Sequence, residues 1–138
     1  MVAGVFQEIP AVDHQQVPNF HATGVIYGTQ PNPAAKTVTG TLTIAELLTL
    51  LITSTAATAV SYTLPTGTLS DAGILGGLLP INGYFDWSLI NLGSATGVAT
   101  LVAGTGHTIV GAATVAISTT QEFRTRKTAA NTFVTYRK

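Results

Sequence analysis

From Asn82 onward apolar and polar positions alternate with period two, the signature of strands with one buried face. In Tyr84 to Leu92 the residues Phe85, Trp87 and Leu89 alternate with Asp86 and Ser88, which puts three large side chains on one face. Further runs follow at Val98 to Ala103, Thr108 to Val110, Ala113 to Ser118, Gln121 to Thr125 and Thr132 to Arg137, broken at Gly93-Ser94 and Gly104-Thr105-Gly106. Short, evenly spaced strands favour a sandwich. Phe85, Trp87, Leu89, Val98, Val102, Ile109, Val115, Ile117, Phe123 and Phe133 are its expected core.

Upstream the rhythm differs. Thr43-Ile44-Ala45-Glu46 fits a capping box, and Ile44, Leu47, Leu48 and Leu51 fall at i, i+3, i+4 and i+7, predicting one helix with a buried stripe. Thr58 to Leu64 reads as a strand with Val60, Tyr62 and Leu64 on one face. Ser70-Asp71 is placed to cap a short helix that runs to Leu75 and stops at Gly76-Gly77. Pro10, Pro18, Pro31 and Pro33 forbid a long helix or central strand across the first forty residues, where Val25-Ile26-Tyr27 is the one strand expected. The expected fold class is therefore mainly β: an antiparallel β-sandwich, jelly-roll-like, with one or two short helices in crossing connections. Residues 1–20 form an N-terminal arm and 21–138 a single β-rich domain.

Composition sharpens this. Thr supplies 24 of the 138 residues and only 9% are charged; β-branched side chains favour pleated surfaces over helices. Without cysteine, disulfides and thiolate metal sites are excluded. No apolar run reaches the roughly 18 residues of a membrane helix, and the opening residues lack a basic leader, so a soluble protein is expected, with no membrane partner. Net charge is zero, but Arg124, Arg126, Lys127, Arg137 and Lys138 crowd the last eighteen residues. Between Trp87 and Gln121 no charged residue occurs, whereas a soluble surface is usually about a quarter to a third charged. Either Thr, Ser and Asn keep that surface wet or a partner covers it. A homo-oligomer is the expected answer.

Candidate chemistry is thin. His107 follows Gly104-Thr105-Gly106 without a nucleophile elbow, and reads as a turn histidine rather than a catalytic base. His14, His21 and Asp13 could contribute to a metal across subunits, but their spacing matches no ligand motif. Paired acids would have to come from Glu8, Asp13, Glu46, Asp71, Asp86 and Glu122; Glu46 and Asp71 are already explained by helix starts. Asp86 is the unusual one: facing inward it needs a charged or multiply hydrogen-bonded partner, for which a terminal arginine is the natural candidate, and facing outward it is an exposed strand acid. Phe123, Arg124, Arg126, Phe133, Tyr136 and Arg137 interleave aromatic and basic residues as a nucleic-acid platform does, yet adjacent strands explain the pattern equally. Sugar binding would use exposed aromatics beside polar groups, with Tyr62, Tyr84, Asp86 and Asn91 as candidates and Trp87 expected in the core. No catalytic, cofactor or metal site is assigned, no cofactor is expected, and the protein is read as a non-enzyme with no direct nucleic-acid partner.

Phe85-Asp86-Trp87-Ser88-Leu89-Ile90-Asn91, Val98 to Gly106, Thr108-Ile109-Val110-Gly111 and the segments Phe123 to Ala129 and Thr132 to Arg137 together resemble a family of small virion surface proteins. These occur among tailed phages and large aquatic DNA viruses, as capsid decoration or head-fibre modules poor in charge and rich in Thr, Ala and Gly. The resemblance covers residues 41–138 and lies in overall wording, with no site to transfer. It implies a structural protein on the capsid surface of a virion, the major capsid protein as partner, and a trimer as the preferred closure; a pentamer or dimer would hide the same surface. The alternative is a receptor- or glycan-binding module of a fibre tip, with a host-surface glycan as partner. Residues 1–20 carry Val2, Val5, Phe6, Ile9, Val12, Val17 and Phe20 but are broken by Pro10 and Pro18, which suits an arm laid across a sibling subunit or the shell.

Overall fold

A computed structural model describes residues 28–138; the expected arm, the Val25 to Tyr27 strand, His14 and His21 lie outside them. Within this span the protein is mainly β. Strands β1 (Ala34–Lys36) and β2 (Gly40–Thr41) precede the single-turn helix α1 (Ile44–Leu47), and β3 (Leu51–Ser54) and β4 (Val60–Thr63) follow it. Next come α2 (Gly67–Gly73) and a 3-10 turn (Ile74–Gly77). The remainder is β5 (Tyr84–Asn91), β6 (Ala99–Val102), β7 (His107–Val110), β8 (Thr114–Val115), β9 (Thr119–Ala129) and β10 (Thr132–Arg137).

The strands form a six-stranded sheet, β1-β3-β5-β9-β10-β7, and a four-stranded sheet, β2-β4-β6-β8. Successive strands up to β6 alternate between the sheets, and β1, β3 and β5 lie parallel in one while β2, β4 and β6 lie parallel in the other. The chain therefore winds three times around a shared core. The antiparallel, jelly-roll-like pairing expected from strand spacing holds only for β5–β9, β9–β10 and β6–β8; β7 also joins β10 in parallel. Alternation encodes which face of a strand is buried, not which strand it meets, so the pattern was silent on this point.

Between the sheets, Ile52, Trp87, Leu89 and Phe123 from one meet Val60, Tyr62, Ala99, Leu101 and Val115 from the other. Trp87 stacks on Phe123 with ring centroids 4.9 Å apart, and its indole N–H donates to Thr125 Oγ1 at 3.0 Å. Trp87, Leu89, Val115, Phe123 and Phe133 are buried as expected, Phe85, Val98, Ile109 and Ile117 are half-buried, and Val102 is exposed because its neighbour Leu101 faces inward instead. A one-residue slip inverts a strand's faces.

Two local expectations also change. The capping box forms, with Glu46 N–H donating to Thr43 Oγ1 at 3.1 Å and Thr43 N–H to Glu46 Oε2 at 2.7 Å. The helix nevertheless stops at Leu47, and Leu50 turns the chain at φ 64°, so Leu51 opens β3 rather than completing a helical stripe. In α2 the cap is Thr66, whose Oγ1 accepts from Leu69 N–H at 3.3 Å, not Ser70-Asp71. Its first residue, Gly67, seats against the β9–β10 turn so closely that a Cβ would lie 1.9 Å from the Asn131 carbonyl oxygen.

Candidate functional site

The outward face of the six-stranded sheet gathers most of the charge. Along β5 the outward residues Tyr84, Asp86 and Ser88 stand opposite Arg126, Arg124 and Glu122 of β9. Their directly opposed positions let Asp86 and Arg124 form a two-pronged pair, Nε to Oδ1 and Nη2 to Oδ2, both at 2.7 Å. Lys138 closes the network at 3.1 Å from Asp86 and 2.8 Å from Glu122. The Arg124 guanidinium holds the Asp86 carboxyl down to about 2 against its partial desolvation, with Lys138 assisting. Arg124 itself is pushed further into its charged form by Asp86, and Lys138 is raised by Glu122 and Asp86. The guanidinium also lies 3.9 Å from the centre of the Tyr84 ring. The arginine partner was expected for an inward Asp86; the residue faces outward, on the side of an exposed strand acid, and Arg124 pairs with it there.

Every carboxylate among the described residues is engaged by a cation. Glu46 pairs with Lys36 at 2.9 Å. Asp71 pairs with Lys127 and accepts the Asn131 N–H at 2.8 Å, and these two bonds lower its pKa. Glu46, Asp71 and Asp86, whose ionised forms these bonds stabilise, are poor general acids. No three His, Asp or Glu residues group as metal ligands among the described residues.

A second cluster lies where α2 meets β7. Ser70 and His107 are buried, with Ser70 Oγ 3.0 Å from His107 Nε2, and the imidazole stacks on Phe133 at 5.2 Å. Burial pushes His107 down to about 4, and its Nδ1 has no hydrogen-bond partner. A serine–histidine pair acts in catalysis only when the second ring nitrogen is oriented and substrate can reach the hydroxyl. Ser70 is fully buried and Nδ1 is unheld, so this pair is a structural tie. His107 is a packed histidine at the start of β7.

No family model, curated protein or solved structure matches the chain. The remaining sequence candidates are therefore judged on geometry alone. Of the four sugar-binding candidates, Tyr62 is buried with its hydroxyl 2.6 Å from Ser54 Oγ. Asn91 is buried too, donating to the carbonyls of Gly97 and Val115 at 2.9 Å. Tyr84 and Asp86 do share the outer face. Phe123 and Phe133 point into the core while Arg124 and Arg126 point away from it, so the aromatic–basic interleaving is strand alternation.

One feature escaped sequence reasoning. The connection from α2 to β5 exposes Leu69, Leu75, Leu78 and Ile81 at 58%, 65%, 80% and 58%. Its inward residues Ile74 and Leu79 pack with Phe133, which fixes the backbone and leaves the other apolar side chains outside. Hydrophobicity marked all six alike, so it does not separate the exposed from the buried.

Proposed function

We propose that this protein is a structural, non-catalytic component of a virion surface, of capsid decoration or head-fibre type, that assembles as a symmetric homo-oligomer, preferably a trimer, on the major capsid protein. The observation that carries the reading is the absence of charge from Ser88 to Thr120 along a surface that exposes Leu92, Val102 and Val110 among threonine, alanine and glycine. Large apolar patches on soluble proteins mark contact surfaces, and closed symmetry buries such a surface on every copy. Resemblance of residues 41–138 to small virion surface proteins supplies the particle. The antiparallel pairing of β5, β9 and β10 and of β6 with β8 supports a sandwich-like body.

Light scattering on the full chain across a wide concentration range tests the assembly: an oligomer is expected, and a monomer throughout refutes it. Detection of the protein in purified particles tests the location, and exclusive recovery outside them overturns it. The glycan-binding reading keeps one favourable observation, the exposed Tyr84 beside Asp86, although Arg124 occupies one face of that ring. A glycan array that scores binding lost in Tyr84→Ala would favour it over the structural role.

A further inference from the structure

The exposed ridge of Leu69, Leu75, Leu78 and Ile81 sits on a connection that is otherwise well anchored, and it ends against a cation. Asn82, the next residue, accepts a hydrogen bond from Arg126 Nη2 through its side-chain oxygen. Among the described residues Arg126 and Arg137 have no carboxylate partner: Arg126 reaches Asn82, and Arg137 reaches the carbonyls of Ala112 and Thr114. The four described carboxylates are taken by Lys36, Arg124, Lys127 and Lys138. Two positive charges are thus left over on the body.

Residues 1–27 hold the complement. They contain Glu8 and Asp13, no lysine or arginine, and the apolar residues Val2, Val5, Phe6 and Ile9 at the i, i+3, i+4, i+7 spacing that groove recognition uses. Glu8 stands inside that apolar set. The described chain begins beside α1, where the Gln30 amide donates to the Thr49 carbonyl, and α1 packs on α2 through Ile44 and Gly73. Ile44 also joins the cluster of Ile74, Leu79 and Phe133 beneath the ridge. The described chain therefore begins at the end of the molecule that carries the ridge. Extended, 27 residues reach about 90 Å, against a body about 35 Å across, so a neighbour's ridge is within range.

We propose that residues 1–20 of one copy dock on the Leu69–Ile81 connection of a neighbouring copy, their apolar side chains covering the ridge and Glu8 pairing with Arg126. The inference rests on the assembly part of the proposed function and names the contact that makes it. An arm-to-ridge contact is heterologous, so it closes into a ring or reciprocal dimer only when the rotation permits.

The test uses two variants that are each defective in one half of the contact. A chain lacking residues 1–20 keeps the ridge, and full-length Leu78→Glu keeps the arm; circular dichroism should match the parent for both, because Leu78 is among the most exposed side chains. Each alone should sediment as a monomer, while an equimolar mixture should form a one-to-one pair. A peptide of residues 1–20 should bind the truncated chain in fluorescence anisotropy and lose about thirtyfold in affinity with Leu78→Glu. Arg126→Glu should weaken the peptide, and Glu8→Arg in the peptide should restore it. Peptide binding without formation of the mixed pair means docking within one copy and overturns the proposal. So does a full-length oligomer indifferent to Leu78→Glu, which would leave the assembly reading standing; a full-length monomer at every concentration removes the assembly reading itself.

Discussion

Residues 34–63 and residues 84–137 build the same two sheets by opposite means. In the first region strands of two to four residues alternate between sheets, and every pairing they make is parallel. In the second, β5, β9 and β10 run eight, eleven and six residues and pair antiparallel as neighbours. Parallel partners require a crossover for every added strand, and the crossovers here carry α1 and α2. Antiparallel neighbours can be joined by a tight turn, and Ala130-Asn131 supplies one with Asn131 at φ 55°. Within this hairpin region only β9–β10 is specified locally; β5 and β9 pair across 28 to 42 residues of sequence, and the wound region likewise depends on contacts between distant turns of the chain.

The largest expected effect lies in the hairpin region. Trp87→Ala removes the ring stacked on Phe123 and leaves Thr125 without its indole donor, although Thr125 Oγ1 keeps Thr135 at 2.9 Å. Urea denaturation should record a loss of about 3–5 kcal/mol. A loss below about 1 kcal/mol would mean that the β5–β9 pairing does not hold the core.

Legibility in the sequence follows the same division. Strands β5, β9 and β10 and the inward residues Trp87, Leu89, Phe123 and Phe133 were readable because their alternation is long. The Asp86–Arg124 pair was half legible: the chain concentrates its cations at one end, but a cation was required only of an inward Asp86, and the residue faces outward. In the wound region the pattern failed at Leu50, whose positive φ ends a stripe that periodicity extends to Leu51. Between the two regions it failed again at Leu69, Leu75 and Leu78, since hydrophobicity is a signal of burial by something and does not say by what. Parallel order was invisible, because short strands carry no partner preference strong enough to read.

The seam between the regions should yield to acid. Ser70, on the crossover from β4 to β5, meets His107 at the start of β7. Burial lowers the His107 pKa from 6.5 to about 4, so between these values the unfolded chain binds a proton that the folded one refuses. The stability from keeping the ring neutral is complete above about pH 6.5 and is lost progressively as the pH falls to about 4, by about 3 kcal/mol at most. His107→Gln should flatten this slope in denaturation measured from pH 7 to pH 4. An unchanged slope would place the acid sensitivity elsewhere.

Within the wound region the sheets are tied through the Tyr62 hydroxyl, which lies 2.6 Å from Ser54 Oγ and donates to the Lys36 carbonyl at 3.5 Å. Tyr62→Phe keeps the ring and strands a buried serine hydroxyl. Its cost should be about 1–2 kcal/mol, smaller than that of Trp87→Ala because volume is conserved. If thermal unfolding shows no loss, the inter-sheet bond adds nothing beyond packing and the wound region is held by its apolar residues alone.

The smallest effect should come from the most conspicuous group of charges. Asp86 is about a third exposed and so is Arg124, so solvent screens their attraction despite the two-pronged geometry. Asp86→Asn preserves the side chain's shape, leaves Lys138 with Glu122, and should cost less than about 1 kcal/mol at low salt. That cost should shrink as ionic strength rises and the Debye length falls to about 3 Å at 1 M. Because Arg124 and Lys138 depress the Asp86 carboxyl from 3.8 to about 2, the contribution is present above pH 3.8 and fades as the pH falls through about 2. That window lies below the one assigned to His107, so a single acid titration of the parent and Asp86→Asn separates them: the variant should differ from the parent above pH 3.8 and converge with it below about 2. A cost above about 2 kcal/mol that salt does not reduce would show that the pair is desolvated, and the outer face of β5 and β9 would then have to be covered in solution.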